Sequence, residues 1–310
     1  MINDAHCHFF STAFFAALAR QRADLVLHRA SVRGGDPAKA GPADLCRELQ
    51  WDDPGAPEAL ADRWVRELDA HGVERAALIA SVPGDEASVA AAVARQPSRI
   101  VGFCMLDPAA PDAPERTRRA LADLALRGVC LFPAMHHVPL HDDRTLRVVE
   151  AAASVTGAAV FVHCGVLSVG VRTRLGLPSR FDLRLGDPLG VARLALAFPQ
   201  VPFIIPHFGA GLLREALMAA DAAANVYLDT SSSNGWVRYT PGLTLDAVFQ
   251  SALAVAGPRR LLFGTDSSFF PRGWQRAIYD EQRAILDRLA VGPDEAALIF
   301  GGNFARLFSR

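Results

Sequence analysis

The chain has 310 residues, 51% of them hydrophobic, and a formal charge of −1, so it can bury a large core and has no global charge to steer it to nucleic acid or an acidic membrane. Five cysteines, Cys7, Cys46, Cys104, Cys130 and Cys164, include no C-x-x-C pair; this argues against a disulfide framework and for a reducing, cytoplasmic setting. Lysine is nearly absent: Lys39 stands alone, and arginine supplies the other basic residues.

The chain begins MINDAHCHFFSTAFFAALAR. The stretch FFSTAFFAALA has the look of a signal-peptide core, but the residues before it carry Asp4 and no lysine or arginine. It is predicted instead to be a core-facing helix after a first strand. No apolar run reaches the roughly 18 residues needed to span a bilayer. Residues 30–57 are rich in Gly, Pro and Asp and break the pattern. An insertion there would sit near the top of the domain as a lid; a plain surface loop is the alternative.

Beyond it, helical stretches such as EALADRWVRELDAHG, DEASVAAAVARQ, PERTRRALADLALRG and RTLRVVEAAASVTG alternate with apolar runs. The runs are RAALIAS, IVGFCML, GVCLFP, AAVFVHC, VPFIIPH, NVYLDTS and RLLFGTD; with the N-terminal MINDAHCHF they make eight. Nearly continuous apolar character suits strands buried on both faces of a parallel sheet. Gly72, Gly128 and Gly157 are predicted as glycine stops of helices. Eight strand–helix alternations give an α/β fold, a (β/α)8 TIM barrel, formed by residues 1–310 as one domain. A doubly wound open sheet is the competitor, and no G-x-G-x-x-G follows an early strand to support it.

Polar residues cluster at the ends of the apolar runs. His6 and His8 are two apart on a strand and so point to one face. His163 ends AAVFV, His207 follows VPFIIP and Asp266 follows RLLFGT. In a parallel barrel the C-terminal strand ends meet at one rim, where these groups would converge. Imidazole nitrogens and a carboxylate suit zinc and similar divalent ions. Taken singly, a histidine at a strand end is more often a hydrogen-bonded core residue, and the reading rests on the coincidence of all five.

The motifs DAHCHFF, VFVHCG, IIPHFGAG, LLFGTDSSF and IFGGNFARLF, spread over almost the whole chain, resemble the metal-dependent amidohydrolase superfamily. They are most similar to its amidohydrolase-2 branch, related to the aminocarboxymuconate-semialdehyde decarboxylase group. The resemblance implies that His6, His8, His163 and Asp266 are metal ligands, that Asp266 also handles the proton of a metal-activated water, and that His207 polarises substrate or water. Binuclear members commonly bridge two metals with a fourth-strand lysine. The fourth strand here reads RGVCLFP, so one divalent ion is expected, zinc first and manganese second.

Two reactions follow from such a site. One is hydrolysis of an amide, lactone or ester through metal-activated water; the other is decarboxylation of a small aromatic or unsaturated acid. Some decarboxylases of the branch begin Glu-x-His where this chain has His6, which favours hydrolysis. Arg172, Arg174 and Arg180 follow the fifth strand and could fork a carboxylate. The alternative is a solvated loop that pairs with Asp182 and Asp187. Trp236 and Arg238 follow the seventh strand and could form an aromatic, cationic wall for a cyclic ligand. A small-molecule substrate is therefore expected, without nucleic-acid or membrane partners, and a homo-oligomer is left open.

Overall fold

The computed structural model describes the backbone of residues 1–33, 41–232 and 234–309. Lys39 and most of the Gly-rich start of the 30–57 segment lie outside the described residues, as does Ser233. The strands are β1 (Asn3–Phe9), β2 (Arg75–Ala80), β3 (Ile100–Met105), β4 (Gly128–Leu131), β5 (Ala159–Val162), β6 (Phe203–Ile205), β7 (Val226–Asp229) and β8 (Leu261–Leu262). They form one sheet in sequence order, every pair parallel. The segment after β8 returns to β1: Ala5 N–H donates to the Phe263 carbonyl (2.8 Å), Asp266 N–H to that of His6 (2.8 Å) and His8 N–H to that of Ser267 (2.7 Å). The (β/α)8 TIM barrel expected from the alternation is the observed fold.

Alternation along the strands divides the apolar residues into two layers. In β2, Ala77 and Ile79 point into the barrel, where they join Val101, Phe103, Cys130, Phe161 and Ile204. Ala76, Leu78 and Ala80 point outward against the helices. Two helices of this outer layer are α3 (Pro57–Ala70) and α4 (Glu86–Arg95). Phe304 and Phe308, from the C-terminal helix (Asn303–Leu307) and the residue after it, join the inner layer opposite the rim. The barrel is thus a packed core and not a pore.

Gly72 has φ +67° after α3, as a left-handed helix stop requires. Gly128 does not stop a helix. The preceding helix closes near Leu124, with Ala125 taking the positive φ (54°), and Gly128 is already the first residue of β4. Gly157 has φ +77° in the turn after a helix that ended at Ala153.

The described part of the 30–57 segment covers one side of the rim, in the position expected for a lid. A helix at Pro42–Leu49 packs Leu45, Cys46 and Leu49 on Phe14, Phe15 and Leu18 of the first helix (Thr12–Arg33). Val171, Leu175 and Leu177 from the loop after β5 join them. This satellite cluster stands on the C-terminal side of the strands. Its edge residues, Phe10, Phe14 and Trp51, face the cavity described next. No helix is long and apolar enough to cross a membrane among the described residues.

Candidate metal centre

At the C-terminal rim lies a cavity of about 770 Å3. His6, His8, His163, His207 and Asp266 all line it. Five residues from distant parts of the chain therefore meet, as strand-end placement predicted. Three of them lie beyond their strands, His163 directly after β5 and the other two further on. β6 stops at Ile205, and His207 and Phe208 follow with φ 53° and 52°. β8 stops at Leu262, and Asp266 has φ 58°. Such left-handed backbone costs a non-glycine residue on the order of 1 kcal/mol or more, and it aims both side chains back over the barrel mouth. Gly165 makes the crowding possible: a Cβ there would lie 2.2 Å from the Gly209 carbonyl oxygen.

His6, His8 and Asp266 each offer one ligand atom, and these atoms lie within 4.8 Å of one another. Asp266 Oδ1 is 2.9 Å from His8 Nε2 and 3.7 Å from His6 Nε2. Each histidine is oriented from behind. His6 Nδ1 lies 2.7 Å from Asp229 Oδ2, and a carboxylate can only accept, so the proton sits on Nδ1. The Ser81 hydroxyl donates to the Ile79 carbonyl (2.9 Å) and so accepts from His8 Nδ1 at 2.7 Å. Both Nε2 lone pairs then face the Asp266 carboxylate. Lone pairs opposed at this distance repel unless a proton or a cation lies among them, so the donor set fits a divalent metal ion.

His163 is 6% exposed, its ring centroid 5.4 Å from that of His207. It stands outside the three-donor set, and its Nδ1 has no hydrogen-bond partner among the described residues. His207 Nδ1 lies 2.9 Å from Ser231 Oγ, which is also 3.0 Å from His6 Nδ1. Burial, and then the charge of neighbouring histidines, pushes His163 and His207 below the usual imidazole range. His6 is also opposed by burial, but the Asp229 carboxylate outweighs it and raises the group. Burial would raise Asp266; positive charge at His8, His6 and His207, such as a proton or cation among them brings, holds it well below the carboxylate range.

The walls are aromatic and cationic. Trp51 stacks on Phe269 (3.8 Å between centroids) and Phe10 on Phe14 (4.0 Å). Trp236 lines the other side, its Nε1 donating to Asn234 Oδ1 (3.1 Å). Of the five residues predicted to hold substrate, Arg174, Trp236 and Arg238 line the cavity, and Arg172 and Arg180 do not. The Arg172 guanidinium is engaged by Gln21 Oε1 and the Pro178 carbonyl, both at 2.6 Å. Arg180 is exposed, and its carbonyl is 2.6 Å from His137 Nε2. The loop also contains the alternative pairing: Arg184 binds Asp182 at 2.7 Å.

Sequence reading missed the supporting groups. Asp229 ends the run NVYL just as His163 ends AAVFV, so the same signal was available for it. Ser81 and Ser231 had none, because hydroxyl residues are common after strands. Arg272, by contrast, stands in the run SSFFPRGW, which its place after the eighth strand puts at the rim; it faces the cavity and donates to Ser268 Oγ (2.7 Å).

The fold is shared with solved structures. An uncharacterised TIM-barrel protein from Bordetella bronchiseptica has a TM-score of 0.65 at 19% identity, with 99% of this chain and 98% of that one covered. A 5-carboxyvanillate decarboxylase from Novosphingobium aromaticivorans, solved with manganese and 3-methoxy-4-hydroxy-5-nitrobenzoic acid bound, has a TM-score of 0.66 at 14% identity (100% and 97% covered). A probable 2-pyrone-4,6-dicarboxylic acid hydrolase from Acinetobacter baumannii, with citric acid bound, has a TM-score of 0.59 at 14% identity (100% and 99% covered). No curated protein matches the sequence. The amidohydrolase-2 family model, described as amidohydrolase, matches residues 3–310, and the chain belongs to that metal-dependent family.

Proposed function

We propose that the chain is a mononuclear metal-dependent hydrolase that cleaves the C–N or C–O bond of an amide, lactone or ester in a small, carboxylated, cyclic or aromatic molecule of the cytoplasm. The observation that carries the proposal is the convergence of His6 Nε2, His8 Nε2 and Asp266 Oδ1 at the floor of an aromatic-walled cavity. His6, His8 and Asp266 would hold a single divalent cation, zinc first and manganese second, which would supply Lewis acidity and lower the pKa of water to about 7. His163 is proposed as the fourth protein ligand, because its orphaned Nδ1 lacks any other partner among the described residues.

The chain's own residues do the rest. Asp266 accepts the proton of the attacking water and returns it to the leaving group. His207 stabilises the oxygen on which negative charge develops, worth about 3–4 kcal/mol if it matches a well-placed oxyanion donor. Arg174 and Arg238 receive the substrate's carboxylate, and Trp236 covers its ring. Arg172 ties the loop that carries Arg174 to Gln21 and Pro178. β4 offers neither lysine nor glutamate to bridge a second ion.

Decarboxylation is the second reading. It is favoured by the guanidinium groups around the mouth and by the fold shared with a decarboxylase. The deciding experiment incubates the metal-loaded protein with lactones, amides and aromatic acids in heavy-oxygen water. Solvent oxygen in the product supports hydrolysis. CO2 release without solvent oxygen in the other product overturns it.

A further inference from the structure

We infer that Ser231 is a positioning residue that fixes the tautomer of His207, so that His207 presents an N–H, and not a lone pair, to the cavity. Ser231 lies just beyond β7 and is fully buried. Its backbone N–H donates to Asp229 Oδ1 (2.6 Å), which locks the residue in place. Its Oγ then sits between two ring nitrogens, His6 Nδ1 at 3.0 Å and His207 Nδ1 at 2.9 Å.

The direction of each bond follows from what the groups can do. His6 Nδ1 is 2.7 Å from Asp229 Oδ2 and must donate to it, so this nitrogen has no lone pair for the serine proton. The hydroxyl proton is left with His207 Nδ1 as its ring-nitrogen acceptor. His207 is 5% exposed, and a ring nitrogen that accepts the serine proton carries none of its own. A neutral imidazole that accepts at Nδ1 carries its proton on Nε2. The competing arrangement would have Nδ1–H donate to the Ser231 carbonyl, but that contact is 3.4 Å long. Asp229 thus holds both His6 and the Ser231 backbone, and the Ser231 hydroxyl passes the order on to His207, whose far nitrogen is a donor.

Two consequences follow. His207 cannot be a metal ligand through Nε2, because the protonated nitrogen has no lone pair to give. Nor can it be the base, which leaves proton acceptance to Asp266. The inference deepens the reading of His207 given above, yet the tautomer is independent of which reaction the enzyme performs.

The test uses the full-length, zinc-loaded protein with isotopically labelled histidine and reads nitrogen chemical shifts at neutral pH. The His207→Gln variant assigns the His207 signals by their loss. A pyridine-type Nδ1 and a pyrrole-type Nε2 are expected. Ser231→Ala should lose that separation, the two shifts moving toward each other, and Ser231→Thr should restore it. A pyrrole-type Nδ1 in the wild-type protein overturns the inference, as do two pyrrole-type nitrogens or an unchanged pattern in Ser231→Ala. The wild-type spectrum decides the tautomer even if Ser231→Ala fails to fold. Failure of hydrolysis in the heavy-oxygen experiment would leave these shifts untouched.

Discussion

His8 Nε2 lies 2.9 Å from Asp266 Oδ1, although one residue belongs to the first strand and the other follows the eighth. The two are tied through backbone: Asp266 N–H bonds to His6 C=O, and His8 N–H to Ser267 C=O. Closure of the barrel therefore builds the donor set, and the last segment to join β1 delivers the carboxylate.

The groups behind the ligands should tune metal affinity. Asp229→Asn and Ser81→Ala each remove a partner that orients a histidine ring, at 2.7 Å in both cases. Losses of roughly 10- to 100-fold in metal affinity are expected from such partners. Competition with a chelator, read by metal analysis, measures this directly. Unchanged affinity in both variants would refute the roles given to His6 and His8.

Arginines that line the cavity should differ from their neighbours in sequence. Arg238→Gln should raise KM for a carboxylated substrate about 10-fold or more, the loss of one charge-assisted hydrogen bond of about 1.5–3 kcal/mol. Arg180 is exposed and outside the cavity, so Arg180→Gln should leave KM within about a factor of two. Steady-state kinetics on a substrate found by the screen would show this contrast. Equal effects would place the carboxylate elsewhere.

Gly264→Ala should damage the site more than the fold. A Cβ at Gly264 would lie 2.8 Å from Asp229 Oδ1, 2.9 Å from His6 Cβ and 3.0 Å from Ser231 Cβ. All three neighbours are fully buried and held by backbone or hydrogen bonds, so relief requires moving His6. The cost to stability is expected at about 1–3 kcal/mol, as for other overpacked sites. Metal content should fall in protein that still shows native circular dichroism; full metal occupancy would count against this account.

A pH effect is expected away from the metal. Asp85 is 2% exposed and accepts from Ser11 Oγ at 2.5 Å, and burial raises its carboxyl above the ordinary 3.8. A carboxyl with a raised folded-state pKa binds its proton more readily folded than unfolded. Its stabilising contribution is therefore full below the unfolded value and is lost as pH rises through the folded one. Asp85→Asn removes that dependence. The stability difference, variant minus wild type, should become more favourable to the variant between about pH 4 and pH 7. Chemical denaturation at both ends reads it, and a difference that does not change with pH would be the contrary result.

The sequence by itself determined the eight-fold alternation and the strand-end residues. The repeating apolar runs could be satisfied only by strands buried on two faces, and a histidine or aspartate closing such a run stands out against them. His6, His8, His163, His207 and Asp266 were legible for that reason. Tertiary structure decided what spacing cannot encode. It placed His207 and Asp266 beyond their strands in left-handed turns, and it left His163 outside the three-donor cluster. It enlisted Asp229, Ser81 and Ser231, and it separated Arg174 and Arg238 from Arg172 and Arg180. Hydrogen bonds between residues far apart in the chain depend on how β1 and the post-β8 segment pack. That geometry exists only once the barrel has closed.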